Sequence, residues 1–175
     1  GTGTMMNRHV FLIGMPGSGK SSLGRRVANN LGLPYTDTDS RITQAVGCSV
    51  TDIFERYGQD AFRHAETNIL IQLTRETPAL VSTGGGMILR EENRRIMRNH
   101  GLIVLIDRPL KDILSDIKLD RRPLLAQKGL SEVERLYHER IDIYRAAADA
   151  VLDNSHGYQA GMTALEQYLR WTFSL

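Results

Sequence analysis

Gly14-Met15-Pro16-Gly17-Ser18-Gly19-Lys20-Ser21 fits the pattern G-x-x-x-x-G-K-[ST], a loop whose backbone cradles phosphate groups. Four fixed positions at ordinary residue frequencies match by chance in roughly 0.6% of chains this long. The flanks narrow the reading further. Val10-Phe11-Leu12-Ile13 supplies an apolar strand before the loop, and Leu23, Val27 and Leu31 recur every fourth residue after it, as on one helical face. Glycines let successive N–H groups turn toward one anion, and the helix N-terminus adds about half a positive charge there. Lys20 is then placed to reach the β- and γ-phosphates and Ser21 to ligate Mg²⁺. Gly17, Ser18, Gly19, Lys20, Ser21 and Ser22 are the expected phosphate-binding residues. The alternative is a Gly-rich strand-to-helix turn that binds nothing.

Downstream, Gly32 and Pro34 end the first helix, and Tyr35-Thr36-Asp37 reads as a short strand running into Asp37-Thr38-Asp39. Two carboxylates two residues apart on extended chain point to the same side. A phosphate-transfer site needs one carboxylate to serve Mg²⁺ and one to orient or deprotonate the attacking hydroxyl. Asp39 equally suits the cap of a helix starting near Ser40. Ser40–Val46 and Ser49–Tyr57 read as short helices broken by Gly47 and Gly58, with Cys48 between them as a small hydrophobe. In a longer helix over Gln59–Thr77, Phe62, Ala65, Ile69 and Leu73 form an apolar stripe, with Glu66 at its edge beside Arg63. On an open surface such a pair is worth little; at the border of a core it holds a guanidinium in place.

Pro78 ends that helix, and Ala79–Thr83 is a strand leading into Gly84-Gly85-Gly86. Three glycines there allow either a flexible turn or very close approach of backbone to a ligand. No Asp closes this strand, which makes Asp37 the better Mg²⁺ candidate. A polar helix follows over Arg90–His100, then the strand Leu102–Ile106, apolar throughout as a buried parallel strand should be. Asp107-Arg108-Pro109 opens another helix to about Lys118. Leu119–Gly129 has no periodicity and carries Arg121, Arg122 and Lys128: a solvated basic loop or, in a nucleoside-triphosphate protein, a lid. Ser131–Ala148 reads as a helix capped by Ser131 with Glu134 three residues on. Val133, Leu136, Tyr137, Tyr144 and Ala147 share one of its faces, and Arg140 sits at the centre, where a charge needs an anionic partner. Arg135 points away. Val151–Asp153 is the last strand and Gly157–Phe173 a terminal helix.

Strands alternating with helices predict an α/β fold, a parallel sheet with helices on both faces that binds its ligand at the carboxyl ends of the strands. Gly14–Ser21, Asp37–Asp39 and Gly84–Gly86 all fall at such ends. The 175 residues suffice for one buried core, expected over 5–175, with Gly1-Thr2-Gly3-Thr4 before Met5 resembling an expression-tag remnant. A formal charge of +2 does not argue for nucleic acid as a partner, and Cys48, the single cysteine, excludes an internal disulfide and a cysteine zinc cluster. No apolar run approaches a membrane span and no signal peptide opens the sequence, so a cytoplasmic protein, monomeric and without membrane partners, is expected.

Taken together the motifs resemble the shikimate kinase family, across the chain from Arg8 onward. The matching pieces are Gly14–Ser21, Asp37-Thr38-Asp39, Phe62-Arg63 with Glu66, Thr83-Gly84-Gly85-Gly86, Arg122-Pro123-Leu124-Leu125, and Arg140 with Tyr144. The resemblance implies a nucleoside-monophosphate-kinase-like fold, three layers around a five-stranded parallel sheet of order 2-3-1-4-5. It also implies transfer of the ATP γ-phosphate to the 3-hydroxyl of shikimate, with Mg²⁺, on the route to chorismate and the aromatic amino acids. By the same resemblance Lys20 and Arg122, the latter from a lid over about 119–129, act on the phosphates. Asp37 serves the magnesium shell, and Asp39 binds the reacting hydroxyl as candidate base. Arg63, Arg140 and the backbone of Gly84, Gly85 and Gly86 hold shikimate. The pattern departs in one place. Many family members carry an arginine over the adenine in the helix before the lid, where this sequence reads Leu114-Ser115-Asp116-Ile117-Lys118. After the last strand it reads Asp153-Asn154-Ser155-His156, so the adenine contacts stay unassigned.

Two rivals are weighed against this. A small-molecule kinase of the same fold acting on gluconate or a nucleotide shares the phosphate loop. A guanine-nucleotide switch would need Asn-Lys-x-Asp, and no Asn in this sequence precedes a Lys.

Overall fold

The computed structural model describes residues 6–118 and 123–175. Five strands, β1 (His9–Ile13), β2 (Tyr35–Asp37), β3 (Leu80–Ser82), β4 (Gly101–Asp107) and β5 (Ala150–Asp153), form one sheet of order β2-β3-β1-β4-β5. Every neighbouring pair is parallel, with β1 central between β3 and β4. The expected strand order is therefore present.

Alternation along each strand sends its side chains into two apolar layers. Val10, Leu12, Leu80, Val104 and Ile106 face α1 (Lys20–Leu31) and α7 (Tyr158–Phe173), where Leu23, Val27, Leu165 and Leu169 close the layer. Phe11, Ile13, Val81, Ile103 and Leu105 face the opposite way. They meet Leu70 and Leu73 of α3 (Val50–Thr74), Met97 of α4 (Glu91–His100), Ile113 of α5 (Leu110–Lys118) and Tyr144 of α6 (Pro123–Ala147). A small third cluster of Ile42, Ile53 and Phe62 lies between α2 (Thr38–Val46) and α3, with Cys48 packed on it. Covering both faces is what makes the central strands apolar without interruption.

Several expectations are corrected. α6 begins at Pro123, so Ser131 lies inside it and caps nothing. Pro is favoured at a first helical position, where no N–H bond is lost, and Leu124 to Lys128 are strong helix formers. The single Gly129 costs about 1 kcal/mol and does not break the run. Residues 123–129 of the expected basic loop are thus helical, whereas Arg121 and Arg122 lie outside the described residues. The helix before Pro78 stops at Thr74, three residues early, with Arg75 as its C-cap. Gly58 does break α3 as its position suggested, with φ 88° and ψ 169° inside the element. The buried line of the second half runs through Phe62, Glu66, Leu70 and Leu73, with Ala65 and Ile69 on its flank. Glu66 is therefore in the core rather than at its edge.

Candidate functional site

All five strands deliver residues to one end of the sheet. The phosphate loop leaves β1, and Gly19, at φ 97°, caps α1 with no side-chain bond. The first N–H groups of α1 consequently have no intrahelical acceptor. Lys20 is buried at the start of the helix and donates to the Met15 carbonyl at 3.2 Å. Burial above all, aided by Arg140, lowers its pKa to about 8, against the carboxylates of Asp39 and Asp37. The Ser18 hydroxyl is buried with no hydrogen-bond partner among the described residues. Ser22 Oγ donates to the Gly19 carbonyl.

At the end of β2, Asp37 takes the place expected for Asp39 as a helix cap. One of its oxygens accepts from the Ser40 N–H at 3.1 Å, and the other from the Ser21 hydroxyl at 2.8 Å. Asp39 lies in the first turn of α2, not on extended chain, and caps nothing. Ser21 and Asp37 together offer two hard oxygen donors beside the phosphate loop, a set that suits Mg²⁺. Among the described residues no group of three or more His, Cys, Asp or Glu could cage a metal.

After β3 the three glycines each carry a functional side chain against them. A side-chain carbon on Gly84 would lie 2.5 Å from Asp39 Oδ1 and 3.1 Å from Glu66 Oε2. On Gly86 it would collide with the Arg63 guanidinium, and on Gly85 it would meet Arg140 Nη1 at 3.3 Å. Only glycine lets the three side chains converge this closely on backbone. The loop is pinned from outside. Its Gly84 N–H donates to Thr38 Oγ1 at 2.9 Å, and the Tyr144 hydroxyl donates to the Gly85 carbonyl at 2.6 Å. Asn93, fully buried, donates to the Met87 carbonyl at 2.9 Å and accepts from the Thr67 hydroxyl at 2.8 Å.

Arg63 Nη1 bonds Glu66 Oε1 at 2.6 Å. Glu66 has no exposed surface, and its other oxygen is unpartnered among the described residues, as is Asp39 Oδ1. Burial is the largest cause raising the pKa of both carboxyls. For Asp39 the charge of Asp37 adds to it, while Lys20 and Arg63 oppose it. For Glu66, Arg63 and Arg140 oppose the rise and Asp39 adds to it. Arg140 has no ion-pair partner among the described residues, whereas Arg135 on the outer face of α6 pairs with Glu132 and Glu139. The charge that sequence placed wrongly for a core thus points at the glycine loop.

A pocket of about 470 Å³ continues from the phosphate loop on the far side, lined by Gly19, Ser22, Arg108, Asp116, Asn154 and Tyr158. Asn154 Nδ2 donates to the Ser18 carbonyl at 2.8 Å. Arg108 Nη1 bonds both the Gly17 carbonyl at 2.9 Å and Asp116 at 2.6 Å. Sequence reasoning assigned none of these three residues. Their one signal was position, Arg108 and Asn154 each following the last residue of a parallel strand.

A buried lysine in a phosphate loop at the carboxyl ends of a parallel sheet marks a P-loop phosphotransferase. The sequence model of the family described as shikimate kinase matches residues 16–170. A shikimate kinase of Clostridium beijerinckii is 39% identical over 150 residues, 86% of this chain and 87% of that protein. One of Paracidovorax citrulli is 36% identical over 170 residues, 95% of this chain and 92% of the relative. Among solved structures, the shikimate kinase of Acinetobacter baumannii in complex with shikimate superposes with a TM-score of 0.80 at 29% identity, covering 95% of this chain and 93% of that one. The chain belongs to the shikimate kinase family and is accordingly an ATP-using phosphotransferase.

Proposed function

We propose that this chain transfers the γ-phosphate of ATP to the 3-hydroxyl of shikimate, giving shikimate 3-phosphate and ADP. The observation that carries the reading is the convergence of Asp39, Arg140 and Arg63 on Gly84, Gly85 and Gly86, opposite Lys20. Arg63 and Arg140 take the acceptor carboxylate, each guanidinium able to offer two parallel N–H donors. Glu66 holds Arg63 in place for this. With the ring so held against the glycine backbone, one hydroxyl falls to Asp39, whose raised pKa makes it a better proton acceptor than an ordinary carboxylate.

The hydroxyl oxygen forms the new bond to the γ-phosphorus as the bond from that phosphorus to the β–γ bridging oxygen breaks. The hydroxyl proton passes to Asp39, and ADP leaves. Lys20 and the N–H groups from Gly17 to Ser22 stabilise charge on the phosphates, and Arg122 adds to them. Mg²⁺ held by Ser21 and Asp37 would supply further charge neutralisation to the β- and γ-phosphates. A single cysteine suits the reducing cytoplasm.

Coupled ADP release with shikimate, gluconate and nucleoside monophosphates offered in parallel tests the proposal. Turnover with shikimate alone is expected. Preference for a nucleoside monophosphate would overturn it.

A further inference from the structure

Tyr144 is 1% exposed, yet its hydroxyl reaches the glycine loop and donates to the Gly85 carbonyl at 2.6 Å. It stands one helical turn after Arg140 on α6, so the two side chains lie on one face. Burial raises the pKa of the phenol, against the nearby charges of Arg140 and Arg63, and the hydroxyl remains a donor at neutral pH. Having given its proton to Gly85, it keeps lone pairs for a guanidinium N–H. The Arg140 guanidinium lies beside that hydroxyl and 3.3 Å from the point a side chain on Gly85 would occupy. Arg140 has neither an ion pair nor a hydrogen bond of good geometry among the described residues. One hydroxyl therefore bonds the loop and lies beside an arginine that has no ion pair among the described residues.

We propose that Tyr144 is a positioning residue: by bonding Gly85 and abutting Arg140 it sets the arginine against the glycine loop, and so sets how tightly the acceptor carboxylate is held. The proposal rests on the reading of Arg140 given under Proposed function. A buried tyrosine acting only as core filler would have no use for its hydroxyl in substrate binding. The ring itself packs in the apolar layer with Met87, Leu105 and Ile113.

Tyr144→Phe removes one oxygen and conserves the ring. Its KM for shikimate should rise roughly three- to tenfold, the range of a lost neutral hydrogen bond, with kcat changing less and KM for ATP within about twofold. The same substitution made in Arg140→Lys should add less than about twofold, because the group it positions is already gone. Urea unfolding of all four proteins accompanies the kinetics. An unchanged KM in Tyr144→Phe, with or without a loss of stability, would overturn the proposal. So would equal losses in both backgrounds, which mark a structural effect independent of Arg140. Arg140→Lys alone leaving KM unchanged would sink the carboxylate reading and this proposal with it; a raised KM there with none in Tyr144→Phe sinks the tyrosine alone.

Discussion

Asp39 Oδ1 lies 2.5 Å from the point that a side-chain carbon on Gly84 would occupy, nearer than such atoms approach. The glycine is thus a condition of the carboxylate's position. Gly84 and Gly86 have ordinary backbone conformations, so their constraint is one of space alone.

Gly84→Ala and Gly86→Ala should separate in their kinetics. The first pushes Asp39 and Glu66 aside and should lower kcat by about 10²-fold, as a displacement of about 1 Å in a reacting group does. The second displaces only the flexible Arg63 guanidinium and should act mainly on the KM for shikimate. Steady-state kinetics of the two variants decide it, and a matching loss of kcat in both would show that the loop acts as one unit.

Sequence left Asp39 open between a helix cap and the group that orients the hydroxyl, and the cap is Asp37. Asp37→Ala removes the cap of α2 and should cost about 1 kcal/mol of stability. Asp39→Asn should leave stability intact or improved, since the fold disfavours the ionised carboxyl. Its turnover should fall by about 10²-fold. Melting curves beside kcat measure both, and a destabilised Asp39→Asn with normal turnover would reverse the assignment.

At the phosphate end, Lys20→Ala should abolish turnover. Arg122→Ala should depress kcat by about 10²-fold or more while shikimate affinity in the open enzyme changes little. Single-turnover rates and an equilibrium titration separate the two quantities. Near-normal kcat in Arg122→Ala would remove Arg122 from the mechanism.

Far from the site, His9 is buried at the start of β1, and its Nδ1 accepts from the Ala79 N–H at 3.1 Å. Burial, then His100, lowers its pKa below 6.5, against Glu76 and backbone groups. The folded chain therefore refuses a proton that the unfolded chain takes. Stability from this group is complete above pH 6.5 and falls as pH drops through 6.5 toward the lowered value. His9→Asn keeps an acceptor without a basic nitrogen, and its stability should fall less than wild type between pH 7.5 and 5.5. Parallel pH dependences would contradict this.

Local chemistry made much of the fold legible. The phosphate-loop pattern, the two αL glycines Gly32 and Gly47 that end α1 and α2, and the break at Gly58 all act within a few residues of themselves. What sequence missed depends on partners distant along the chain. Asp37 rather than Asp39 caps α2, and its other oxygen is held by the hydroxyl of Ser21, sixteen residues earlier. Glu66 is tolerated in the core because Arg63 and the side-chain-free Gly84 make room and charge for it. Ser131 looked like a cap because Glu134 follows it by three residues and Leu119–Gly129 before it shows no apolar period. Arg140 was readable for the opposite reason: a charge on an apolar stripe names its need for an anion without naming the partner.

The most direct measurement compares shikimate with its carboxamide in wild type and Arg140→Lys. The wild type should use the amide poorly. Arg140→Lys should lose about ten- to a hundredfold in kcat/KM for the acid, the range of a charged hydrogen bond, and much less for the amide, with ATP binding nearly intact. Equal losses for acid and amide would contradict the claim that Arg140 reads the acceptor's carboxylate.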